Sequence, residues 1–240
     1  MAAALGWGAL AASSLVVGAL LALARDWPGW LVGLVLSFGA GALIAAVSYE
    51  LAQESFDLGD QGITALGLAA GALTFYLADG VISGHGKGGR AGRKASAGAG
   101  TALALGAFLD GIPEQLVLGI GIAGGEGVGV GLLVAIFVSN LPEAIGSASD
   151  MRRAGRSEAT ILRLWIAVAA ICTLATVVGY AIADATSQNV KAVIDGFAAG
   201  ALLVMLVDSM IPEARRDAHR AAGLVTVLGF AVSAALSGVS

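Results

Sequence analysis

Charge is scarce in this chain. Of 240 residues, 12% are Asp, Glu, Lys or Arg, while 58% are hydrophobic. A soluble domain carries about twice that charge, so a water-soluble globule is excluded. The net charge of −4 provides no basic surface, and no nucleic acid partner is expected. Cysteine is nearly absent. Cys172 stands alone in an apolar run, which rules out an intramolecular disulfide and reads as a small buried core residue. Histidine is equally rare, and both copies, His85 and His219, fall in loops. There is no His-Glu-x-x-His pair for an intramembrane metalloprotease and no in-span histidine to serve as the base for a serine nucleophile. An enzyme is therefore not expected.

What is present is apolar length. Runs of about 20 residues suffice to cross about 30 Å of hydrocarbon. Reading between charged or Pro/Gly-rich breaks gives an all-α integral membrane protein. Its eight spans are 2–24, 29–51, 61–83, 99–122, 127–149, 159–182, 193–212 and 220–238, in a single transmembrane domain. The stretch 84–98 has the composition of a flexible, basic loop. The first span ends in Ala22-Leu23-Ala24, which resembles a signal-peptide cleavage site. It lacks a basic n-region, however, so a span is expected. With eight crossings, twelve of the thirteen basic residues, from Arg25 through Arg90 and Arg153 to Arg220, fall on one side, and only Lys191 on the other. The positive-inside rule makes the basic side cytoplasmic and both termini external. The opposite face carries Glu54, Asp57 and Asp60, either a cation-attracting vestibule or an ordinary solvated loop.

Two repeats sharpen this outline. Residues 38–54, FGAGALIAAVSYELAQE, align without gaps on residues 197–213, FAAGALLVMLVDSMIPE. They lie in spans two and seven, which cross in opposite directions. Asp110-Gly111-Ile112-Pro113-Glu114 in span four and Ser139-Asn140-Leu141-Pro142-Glu143 in span five form a second antiparallel pair, each with a Pro-Glu step. The expected arrangement is three helices, two central helices and three more, related by inverted repetition. Secondary transporters often use this plan, with substrate bound near the midplane.

Carboxylates mark where. Asp110, Glu114, Glu143 and Asp208 lie within spans, where each charge costs about 2.5–3.5 kcal/mol on insertion scales. No Lys or Arg lies at comparable depth, so a bound cation, protons or a water-filled path must compensate. Asp110 and Glu114 are spaced i, i+4 and share a helix face. Pro113 and Pro142 cannot donate a backbone hydrogen bond, which frees the carbonyls of Leu109 and Val138. An oxygen-lined metal site of Asp110, Glu114, Asn140, Glu143 and Ser139 follows. Asp208, Glu50 and Asp79 are candidate ion-path residues. Asp208 has a duller reading as a partner of Arg215 or Arg216, and Glu50 and Asp79 as interfacial residues.

At these residues the chain resembles the ZIP (Zrt-, Irt-like) family of divalent metal transporters, as a divergent prokaryotic-type member. That family carries His-Asn-x-Pro-Glu-Gly in span four and a related x-Asn/Asp-x-Pro-Glu-Gly in span five. Here they read Asp110-Gly111-Ile112-Pro113-Glu114-Gln115 and Ser139-Asn140-Leu141-Pro142-Glu143-Ala144. The resemblance implies a carrier of a divalent metal ion into the cytoplasm across the cell membrane, with no organic cofactor. Glu114 and Glu143 fall on bridging metal ligands. Asp110 replaces the motif histidine and Gly111 the asparagine, and span six has no carboxylate, which puts the second metal site of some members in doubt. Zinc is the family default. An all-oxygen ligand set shifts preference toward manganese or iron(II), although zinc also binds carboxylates. The substituted histidine leaves a second reading open, a non-transporting metal sensor or structural membrane protein. Besides the lipid bilayer, a homodimer is an expected partner, since small-residue spacings such as Gly39-x-Gly41 suit close helix packing within one chain or between two.

Overall fold

The structure, a computed structural model, describes residues 1–58, 60–84, 99–123, 130–184 and 187–237. Among these residues every element is helical. The helices are α1 (Ala2–Ala24), α2 (starting as Gly29–Ala46), α3 (Gln61–Gly84), α4 (Ala99–Ala123), α5 (Val130–Arg153), α6 (Glu158–Asp184), α7 (starting as Gln188–Met205) and α8 (Ala221–Ser237). Five are long and apolar enough to cross a membrane: α1, α2, α5, α6 and α7. Shorter apolar stretches lie at Gln61–Leu77, Gly111–Ala123 and Ala221–Leu236, in α3, α4 and α8. The expected basic loop at 85–98 lies outside the described residues.

Local chemistry sets the helix ends. Between α1 and α2, Pro28 occupies the N-cap of α2, where its missing N–H costs nothing. The Trp27 indole N–H donates at 2.9 Å to the Leu21 carbonyl, which also accepts the Arg25 N–H at 3.1 Å, and Arg25 stacks 5.6 Å above the ring. After α5, Gly155 adopts φ +79°; the N–H of Arg156 reaches the Met151 carbonyl at 3.1 Å and that of Gly155 the Arg152 carbonyl at 3.0 Å. This is a Schellman stop, and its left-handed position favours glycine.

Two helices run further than their apolar stretches suggest. α2 continues through a π-helical segment, Val47–Gln53, into Glu54–Leu58, so the acidic stretch expected as a loop is largely helical. α7 continues through a π segment, Leu206–Met210, into the amphipathic Ile211–Ala218. Neither extension contains glycine, and the lone Pro212 sits in the first turn of its α-helical segment, where proline is tolerated. Each π segment begins nine residues after the aligned phenylalanine, Phe38 or Phe197. The sequence repeat is thus matched by the same backbone irregularity.

Packing follows the repeat as well. A Cβ at Gly41 of α2 would collide with the Thr226 carbonyl of α8, and one at the aligned Gly200 of α7 with the Leu68 carbonyl of α3. The aligned phenylalanines complete the set, since the carbonyl of Phe38 abuts Gly229 of α8 and that of Phe197 abuts Gly71 of α3. Two further seams join α4 to α6, at Gly119 and Gly179, and α1 to α5, at Gly18. Contacts advance in the same direction along both helices (Gly67 with Val193, Gly71 with Phe197), so α3 and α7 are parallel. Glycine lets helix backbones approach this closely, which matters where lipid removes any hydrophobic drive for helices to associate.

The buried side chains form two clusters. One joins α2, α4, α5 and α7, with Ala11 of α1, around Leu43, Leu118, Ile136 and Leu202. The other joins α1, α5 and α6 around Leu15, Met151 and Trp165. α5 contributes several side chains to each cluster and is the main link between them.

Replacing Gly41 or Gly200 with Leu should each destabilise the protein by about 1–3 kcal/mol through overpacking. Gly223→Leu, in open space on α8, should not. Thermal unfolding in detergent measures the difference, and equal melting temperatures for the three variants would contradict the seam geometry.

Candidate metal site

Pro113 and Pro142 interrupt neither helix. α4 and α5 run through them, carrying Glu114 and Glu143 into the interior. Glu114 is 1% exposed, and Asn140 Nδ2 donates to its Oε2 at 3.3 Å. Glu114 and Asn140, 26 residues apart in sequence, therefore join the two Pro-Glu segments through a hydrogen bond between α4 and α5. Glu143 lies one turn beyond Asn140 on the same side of α5, half-buried, with Oε2 shielded from solvent.

The other expected ligands are placed less simply. Ser139 is buried, but its hydroxyl donates to the Ile136 carbonyl at 3.0 Å, and its backbone lies against Gly39 of α2. Asp110 lies on α4 one turn before Glu114, and its side chain is outside the described residues. Gly111, in place of the motif asparagine, faces the sulfur of Cys172 on α6, and Cys172 is fully buried as expected. Among the described residues, no three His, Cys, Asp or Glu side chains gather closely enough to hold a metal ion.

The candidate path residues separate. Glu50 lies within the α2 π segment and is more than interfacial: both its carboxylate oxygens lie 3.2 Å from the Leu132 N–H, in the first turn of α5. A carboxylate there complements the positive end of the helix dipole. Asp208 lies in the α7 π segment and lines a groove of about 660 Å³ between α3 and α7, with Leu73, Tyr76 and Val207. Of the two arginines considered as its partners, Arg216 is engaged elsewhere, with Glu213 at 3.6 Å and Asp217 at 3.0 Å. The hydrogen bond that Arg216 donates to Asp217 raises the guanidinium above its ordinary pKa, aided by the charges of Asp217, Glu213 and Asp150. The side chain of Asp79 lies outside the described residues. In the acidic stretch before α3, Asp60 accepts the Gly62 N–H at 2.8 Å and so starts that helix.

Some polar residues of the interior escape a reading by charge and motif. Ser55, Thr64 and Asp195 are buried near one another's helices, with Ser55 Oγ donating to the Ala192 carbonyl at 2.6 Å. Gln115 and Thr176 form a second buried pair. The only sequence signal for either group is a polar residue within an apolar run.

Replacing Glu50 with Ala should speed hydrogen exchange of the Leu132 amide about fivefold, equivalent to about 1 kcal/mol of cap energy. Unchanged exchange would mean that the carboxylate contributes nothing to the start of α5.

Comparison with known proteins agrees with this arrangement. A family model described as ZIP Zinc transporter matches residues 94–237, more than half of the chain and including both Pro-Glu steps. A protein of Arabidopsis thaliana, named as a candidate zinc transporter, is 29% identical over 195 residues, covering 80% of this chain. The chain spans about a third of that relative's length, 31%. With its apolar helices and paired Pro-Glu steps, this chain belongs to the ZIP zinc transporter family, a family of multi-pass membrane transporters rather than enzymes.

Proposed function

We propose that this protein carries a divalent metal ion, zinc in the first instance, across the cell membrane into the cytoplasm. The observation that carries this reading is the buried hydrogen bond from Asn140 to Glu114, which unites the two Pro-Glu steps inside the helix bundle. Glu114 and Glu143 are the central metal ligands, Asp110 and Asn140 complete the set, and the Ser139 carbonyl side of α5 contributes through backbone rather than hydroxyl. Metal would displace the Asn140 amide from Glu114, since a cation is a stronger partner for a carboxylate than a neutral N–H donor. An oxygen-based set also accepts manganese and iron(II), so selectivity among the three is a matter of geometry and supply.

Eight crossings with external termini fit the parallel seam between α3 and α7, because helices separated by an odd number of crossings run in the same direction. The basic residues then face the cytoplasm. Inverted repetition of the Gly41 and Gly200 contacts supports a transport cycle in which the two repeats exchange roles about the central helices. Glu50 and Asp208, in equivalent π segments, would flank the outer and inner approaches, with Asp79 beside the inner one.

Purified protein in proteoliposomes should take up zinc, and Glu143→Gln should lower uptake at least 100-fold while expression is retained. Uptake preserved in the variant would sink the site assignment. Zinc binding without flux in the unaltered protein would point to a sensor. Offering manganese and iron(II) in the same vesicles ranks the metals, and exclusive zinc uptake would show that the oxygen-rich set does not relax selectivity.

A further inference from the structure

α4 and α6 meet along a parallel seam in which contacts recur every four residues. Gly111 lies against Cys172 Sγ, Gln115 meets Thr176, and Gly119 abuts the Thr176 carbonyl and the Tyr180 N–H. Glycine dominates this face of α4, and Gly179 returns the contact by abutting the Leu116 carbonyl. A seam of glycine backbone has few interlocking side chains, so on this face of α4 little besides a polar contact selects one rotation of the helix.

One contact is of that kind. The Thr176 hydroxyl donates to Gln115 Oε1 at 2.6 Å, and both residues are fully buried. Gly8 of α1 closes over Thr176 from a third helix, so close that a Cβ there would fall 2.8 Å from the hydroxyl oxygen. The other end of the Gln115 amide, Nε2, is buried and has no hydrogen-bond partner among the described residues. Burying an unsatisfied donor is costly, and an apolar side chain of equal length would fill the same volume without that cost. Packing alone therefore does not account for a glutamine at this point.

Its neighbour supplies the reason. Glu114 immediately precedes Gln115, about 100° around the helix, and faces Asn140 of α5 while Gln115 faces α6. Rotation of α4 on its glycine seam would carry Glu114 away from α5. We propose that Thr176 is a positioning residue for metal binding: through Gln115 it fixes the rotation of α4 and so holds Glu114 toward α5. A directional polar contact in an otherwise featureless interface is a recognised means of specifying register. This inference rests on the reading of Glu114 and Glu143 as metal ligands.

The test is zinc binding by the purified full chain, with zinc alone as the probe, alongside thermal unfolding of the metal-free protein. Thr176→Val should weaken zinc binding about tenfold, and Thr176→Ser, which keeps the hydroxyl, should restore it. Gln115→Met should match Thr176→Val, and the double variant should be no weaker than either single one, since all three remove the same bond. A merely structural role would lower the melting temperature with zinc affinity unchanged in folded protein, and that result overturns the proposal. So would equal losses in Thr176→Ser and Thr176→Val, or losses that add in the double variant. If neither Thr176→Val nor Gln115→Met yields folded protein, the pair is a folding determinant and the positioning role is likewise overturned. Glu143→Gln separates the two levels. If it binds zinc as tightly as the unaltered protein, the site reading fails; if it loses zinc while Thr176→Val does not, only the positioning role fails.

Discussion

A carboxylate in an apolar slab needs a partner, and the arrangement of this bundle follows from where those partners are found. Glu114 takes the Asn140 amide, and Glu50 takes the first-turn amide of α5. Both partners belong to α5, the main link between the two hydrophobic clusters. The acids are thus distributed around α5, on helices that approach it from different sides. The low dielectric that makes an unpartnered charge costly also makes each of these contacts strong and directional.

The two Pro-Glu steps have different supports. α4 is held to α6 by its glycine seam and the Gln115–Thr176 bond, while α5 is held to α1 at Gly18 and to α2 where Gly39 meets Ser139. The site therefore lies between helices whose nearest neighbours differ. Small relative displacement of those neighbours changes the separation of Glu114 and Glu143 without distorting either helix.

Much of this was legible in the chain itself. Each expected span overlaps a helix among the described residues, and five of those helices are long and apolar enough to cross a membrane. The alignment of 38–54 on 197–213 extends to backbone detail, since both π segments begin at the equivalent residue. The Pro-Glu steps pointed to the two helices that the Asn140–Glu114 bond joins. What was not legible depends on neighbours. Helices that are apolar all round give no stripe to say which face meets which partner, so the seams at Gly41, Gly119 and Gly200 and the pairing of Gln115 with Thr176 could not be read. Helix ends were misjudged for a related reason. Residues 54–58 and 211–218 are polar enough to leave the hydrocarbon but still form helix, and hydropathy marks the edge of the membrane rather than the end of a helix. Ser139 shows a third limit: a hydroxyl at the right position in a motif is spent on its own helix, bonded to Ile136.

The glycine seams have an entropic consequence. A glycine has no rotamers to freeze, so two backbones that meet through glycine and carbonyl oxygen lose little side-chain freedom on contact. Association of α2 with α8, or of α3 with α7, then rests on dispersion and weak Cα–H···O contacts, which are short-ranged and enthalpic. Such an interface is firm at its optimum yet has fewer interdigitated side chains to unlock when it shifts. Heat should loosen it gradually, through lengthening contacts, rather than all at once through the melting of a side-chain core.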